Sequence, residues 1–173
     1  MTTLANPKPE KPFRLRRWHL HGTDRAIVFY TCARPGRSGN PSSRTASVTD
    51  KTVSAWVRGL PGSNVAIISL LGKKPDGMSE YSFYSFSGGL DRQTDQKSSF
   101  ASWLRERHFD LEIELIEHPT TDFQPVPPTT ISGVLTSLER LAARGKTVTI
   151  VDSGGETRTG AVCRAIGAKE SFD

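Results

Sequence analysis

The run Thr147 to Gly160 reads Thr-Val-Thr-Ile-Val-Asp-Ser-Gly-Gly-Glu-Thr-Arg-Thr-Gly. A β-branched stretch leads into small residues, then into a helical segment whose first turn carries Arg158. Such a turn aims several backbone N–H groups inward, and together with a helix N-terminus they make an anion cradle. Arg158 adds a forked donor that can grip a phosphate through two bonds. A tight strand-to-helix turn that needs Gly for its backbone alone would read the same way. The chemistry of the residues leaves both readings open. Other groups offer less. Asp122 sits in the proline-rich run His118 to Pro128, where Asp commonly makes a side-chain turn. His19 and His21 share a strand face but have no Cys or carboxylate at ligand spacing, so no metal is expected. Cys32 and Cys163 are far apart and match no disulfide or metal pattern.

These residues need elements to position them. Ala26 to Thr31 is rich in β-branched and aromatic residues and predicts a strand, with a shorter one over Phe13 to Arg17. Val53, Trp56, Val57 and Leu60 recur at helical spacing behind a cap at Thr49 or Asp50, and Pro61-Gly62 ends that helix. Val65 to Leu71 is apolar but for Ser69 and suits the centre of a parallel sheet. Residues 72–95 read as irregular, with an extended piece at Tyr81 to Phe86, and 96–107 predicts a helix. Leu111 to Ile116 alternates strictly and predicts a half-exposed strand. Ile131, Val134, Leu135, Leu138, Leu141 and Ala142 form one helical stripe, with Gly145 at the C-cap position. Thr147 to Val151 predicts a strand and Arg158 to Ile166 a last helix. Strands alternating with helices predict an α/β fold, a three-layer sheet of mainly parallel strands with helices on both faces. Ligands of such sheets bind beyond the C-terminal strand ends, which singles out the loops 118–128 and 152–157.

The segment 147–160 resembles the cysteine-dependent phosphatases of the tyrosine and dual-specificity type. Their signature is His-Cys-x-x-Gly-x-x-Arg-Thr/Ser-Gly between a strand and a helix. Gly155 falls on the family Gly, Arg158 on the phosphate-gripping Arg, Thr159 on the Thr/Ser and Gly160 on the final Gly. The resemblance implies a phosphatase-like fold and a phosphate loop over Ser153, Gly154, Gly155, Glu156, Thr157, Arg158 and Thr159. It also implies a general-acid role for Asp122, on the loop before the cradle. The run Asn64 to Leu71 is similar to the family strand reading Val-Ile-Ser-Leu. The nucleophilic Cys position is occupied by Asp152 and the His position by Val151.

That departure removes the thiolate which the family reaction needs to attack phosphorus. The simplest consequence is internal satisfaction, with the Asp152 carboxylate accepting the loop N–H groups and pairing with Arg158. The expected protein is then a pseudophosphatase that binds through its phosphate loop. The alternative is an active phosphatase, with Asp152 as an unusual nucleophile or as an engineered replacement of Cys. Either way Asp152, Arg158 and Asp122 are the candidate catalytic residues. The partner implied is a phosphorylated protein, a small phosphomonoester or an unmodified protein. No cofactor is expected.

The composition sets bounds. The 173 residues, with 35% hydrophobic and 24% charged, suit one globular domain. Residues 1–12, with three prolines, read as a disordered tail, and 13–173 as a single domain. No apolar run approaches the roughly 18 residues of a membrane span, and no secretory h-region opens the chain, so a cytoplasmic setting is expected. Residues 1–58 carry eleven Lys and Arg against three acids, an asymmetry that can mark a nucleic-acid face. These cations are scattered and accompany no recognition motif, so nucleic acid ranks last among partners.

Overall fold

The structure, a computed structural model, describes residues 8–22, 24–37, 50–77 and 113–172. Strands β1 (Arg16–His21) and β2 (Ala26–Ala33) form an antiparallel hairpin. Helix α1 (Asp50–Arg58) carries the chain to β3 (Val65–Ser69). Then follow β4 (Glu114–Glu117), α2 (Pro128–Ala143), β5 (Thr147–Asp152), α3 (Thr157–Ala165) and β6 (Lys169–Ser171). The fold is α/β, with one six-stranded sheet in the order β4-β3-β5-β2-β1-β6.

The sheet is mixed, which corrects the expectation of mainly parallel strands. Parallel pairing holds β4 to β3, β3 to β5 and β5 to β2, whereas β1 is antiparallel to both β2 and β6. The cause is connection length. Only four residues, 22–25, separate β1 from β2, and a Gly22 N–H bond to Arg25 O at 2.8 Å closes that hairpin, while α1 lies between β2 and β3 and α2 between β4 and β5. Strand β6 has no apolar pattern, being Lys-Glu-Ser, and the sequence reading missed it. Its residues pair with Arg17, Trp18 and His19 once the chain turns back after α3.

Residues of alternate parity along the strands enter two separate clusters. Phe29, Ile68 and Ile150 join Val134, Leu138 and Leu141 of α2 and Val162 of α3. Cys32, Ile67 and Val151 join Val53, Trp56 and Val57 of α1. The predicted stripes of α1 and α2 are therefore the buried faces of those helices. The two buried indoles are satisfied: Trp18 Nε1 donates to Thr31 Oγ1 at 3.0 Å and Trp56 Nε1 to Ala33 O at 3.1 Å. At the end of α2, Gly145 has φ +76°, and Lys146 N donates back to Leu141 O at 3.0 Å, the expected glycine-terminated helix end.

Several boundaries move. Phe13 to Leu15 precede β1 rather than belonging to it, because Arg14 takes φ +56° and breaks the extended run. Residues 8–12, read as tail, lie on α1: Glu10 N donates to Ala55 O at 3.1 Å and Pro12 is buried. The last helix begins one residue early, at Thr157. The extended piece at 81–86 and the helix at 96–107 fall outside the described residues. Among the described residues, no helix is long and apolar enough to cross a membrane.

Candidate functional site

The site lies where β5 ends. Leu70 N donates to Val151 O at 2.8 Å and Arg34 N to Asp152 O at 2.9 Å, so the end of β5 is held by the residues that follow both neighbouring strands. The chain then turns through Ser153 to Glu156. Gly155 has φ +73°, and a Cβ there would strike the backbone of Cys32 and Ala33. Only Gly meets both conditions, the left-handed backbone and the close approach to β2. This turn folds the loop back over the strand end and starts α3.

Asp152 is 2% exposed. Its Oδ1 accepts the Gly155 N–H, and its Oδ2 accepts the Thr159 N–H at 2.9 Å. A buried carboxylate thus occupies N–H groups at the start of α3, where the helix dipole favours a negative charge. The expected acceptance of loop N–H groups is present. The expected pairing with Arg158 is replaced by another. Arg158, 5% exposed, donates from Nη1 to Thr120 Oγ1 at 2.9 Å, and its Nη2 lies 3.4 Å from Asp122 Oδ1. The reason is placement: Asp152 is taken up by the backbone, so the guanidinium reaches across to the loop after β4.

That loop is held in register by extended pairing. His118 N donates to Ser69 O at 2.9 Å, Lys73 N to Thr120 O at 3.1 Å and Asp122 N to Lys73 O at 2.8 Å. Lys73 and Thr121 form a parallel bridge. Thr120 Oγ1 donates to Leu70 O at 2.6 Å while accepting from Arg158, so one hydroxyl joins three segments. Asp122 Oδ2 meets Lys74 Nζ at 2.7 Å, and Oδ1 accepts the Phe123 N–H at 3.1 Å; the Gln124 N–H, which would close the side-chain turn expected of Asp there, donates to Thr121 O at 3.2 Å instead. Phe123 takes φ +62° and is 81% exposed, with Lys74 Nζ 5.4 Å from its ring centre.

The structure thus brings Asp152, Arg158 and Asp122 to one edge, beyond the C-terminal ends of β3, β4 and β5. Three further members were missed from the sequence. Thr120 and Lys74 carry no local pattern that sets them apart. Arg14 stood out only as part of a basic trio with Arg16 and Arg17. Its Nη1 lies 3.2 Å from Gly154 O and 2.7 Å from Glu156 Oε2. Arg16 Nη2 reaches Glu156 Oε1 at 3.6 Å. Glu156, assigned to the phosphate loop, therefore turns its side chain outward to these arginines.

The cysteines take no part. Both are buried. Burial, then the nearby Asp152 charge, raises the Cys32 thiol far above its ordinary range. Burial is also the main cause pushing Cys163 up to about 12, against a smaller opposing effect of Arg164. His118 bonds to Ser137 Oγ through Nε2 at 2.9 Å, and burial lowers its pKa. His19 meets Ser171 Oγ at 2.9 Å. Among the described residues no group of three or more His, Cys, Asp or Glu could hold a metal ion.

An open cleft of about 430 Å³ adjoins these groups, lined by residues 122–126 on one side and Thr157, Arg158 and Ala161 on the other. Comparison with protein-family models, with curated proteins and with solved structures finds no match to this chain.

Proposed function

We propose that this chain is a tyrosine/dual-specificity-phosphatase-like domain that does not hydrolyse phosphate esters and instead binds a partner at its phosphate-loop edge. In this reading the fold is the family's three-layer arrangement, with α1 on one face of the parallel part of the sheet and α2 and α3 on the other. The resemblance of residues 147–160 to the family signature and the meeting of Arg158 with the acid-loop Asp122 support it.

One observation carries the loss of chemistry: both oxygens of Asp152 are already bonded, to Gly155 N and Thr159 N. In a hydrolysing site those N–H groups lower the pKa of a thiolate and hold the oxygens of the transferred group. Here a carboxylate uses them. An aspartyl nucleophile would have to surrender these bonds and attack a dianion with like charge. It is also 2% exposed. The active-phosphatase alternative is the weaker reading for that reason. The implied partner is a protein, phosphorylated or not, or a small phosphomonoester.

The test is hydrolysis of para-nitrophenyl phosphate between mildly acidic and neutral pH. Wild type is expected to be silent. Asp152→Cys is expected to turn over, since a thiolate returns to a loop that retains Arg158. Wild-type turnover that disappears in both Arg158→Ala and Asp152→Ala would overturn the proposal.

A further inference from the structure

The cleft beside Arg158 has a charge balance that selects its occupant. Among its described lining residues Arg158 is the one cation and Asp122 the one anion. They face each other at 3.4 Å, and Lys74 closes on the other Asp122 oxygen at 2.7 Å. Behind them Asp152 holds N–H groups at the start of α3. The two halves of an anion site, the backbone donors and the guanidinium, are thus each met by a carboxylate of the chain itself. Asp152 and Asp122 together balance Arg158 and Lys74. A phosphate dianion entering here would meet a guanidinium already paired with Asp122 and backbone donors already held by Asp152, and would have to displace a carboxylate of the chain.

The rest of the wall is apolar. Phe123, Pro125, Val126 and Ala161 line the cleft, and Phe123 presents its ring to solvent at 81% exposure. A large exposed aromatic held in a left-handed backbone, with its N–H tied to Asp122, is an apolar surface set in place before any partner arrives.

We propose that this cleft receives the uncharged aromatic side chain of a tyrosine of a partner protein, and that phosphorylation of that tyrosine weakens binding. The inference rests on the non-hydrolysing reading given above and narrows its partner class. Selectivity comes from the charge that the chain supplies to itself, since like charges brought together disfavour the wrong ligand.

The probes are N-acetyl-tyrosinamide and its O-phosphorylated form. Each is titrated into the full chain carrying ¹³C-labelled methyl groups on Val126 and Ala161. The neutral probe is expected to shift these methyl signals, and the phosphorylated form to bind at least about tenfold more weakly, the effect of one unfavourable charge contact. In Asp122→Asn one negative charge leaves the cleft, and the phosphorylated probe is expected to recover most of that difference. Equal or tighter binding of the phosphorylated probe by wild type would overturn the inference. So would methyl signals that neither probe moves, or a difference unchanged in Asp122→Asn. Release of free phosphate in the ³¹P spectrum would instead overturn the non-hydrolysing reading. The two failures are therefore distinguishable.

Discussion

At the scale of single residues, Asp152 does structural work that its chemistry explains. Its two oxygens satisfy donors at the turn into α3 that no other described side chain is seen to meet. Truncation leaves two N–H groups in a buried place. Asp152→Ala is therefore expected to destabilise the fold by about 2–4 kcal/mol, the cost of stranding buried donors bonded to a charged group. Asp152→Asn keeps an acceptor oxygen and should lose less than half as much. Urea unfolding of the three proteins checks the order. Equal stability of wild type and Asp152→Ala would show that the loop N–H groups find other partners. Arg158 is a second case. Buried guanidinium groups need matched acceptors, and this one has Thr120 and Asp122.

At the scale of elements, α2 and the loop before it fix where Asp122 stands. Leu138 is fully buried in the cluster that joins α2 to β3 and β5. Leu138→Ala is expected to cost about 2–5 kcal/mol, as large-to-small changes in well-packed cores do. A midpoint shift in urea unfolding measures it. His118 links β4 to α2 through Ser137. Burial lowers its pKa from the ordinary 6.5, so the unfolded ring takes up a proton more readily than the folded one. The unfolded state then binds more protons in this window, and stability rises with pH. The contribution is full above about pH 6.5 and is lost as the pH falls toward the lowered value. Urea midpoints measured from pH 7.5 to 5 are expected to fall, and His118→Gln, which keeps a donor for Ser137, to flatten that slope. An equal slope in the variant would remove His118 as its source.

At the scale of the whole molecule, the two thiols lie inside opposite clusters, Cys163 with α2 and Cys32 with α1. Buried thiols with raised pKa are poor nucleophiles. Neither is expected to react with a thiol-specific disulfide reagent in the native protein, and both should react in denaturant, which a colorimetric thiol count reads directly. Native reactivity of either would mean that its cluster opens. Much of the arrangement was legible in the residues. The apolar spacing in α1 and α2, the β-branched runs of β2, β3 and β5 and the glycine end of α2 all follow from local periodicity and backbone preference, which act within a few residues. The anion-cradle pattern was legible for the same reason, since Gly155 and Arg158 sit three apart on one turn. Strand β6 was not, because three polar residues become a strand only when β1 offers them an edge. Nor was the partner of Arg158. Sequence proximity pointed to Asp152, six residues away, whereas the structure brings Thr120 and Asp122 from a loop more than thirty residues upstream. By itself the sequence determined the alternation of strands and helices, the buried faces and the presence of a carboxylate at position 152. Tertiary structure alone decided which carboxylate meets which donor. Hydrogen bonds and ion pairs form between whatever groups the sheet brings within about 3 Å, and distance along the chain does not set that.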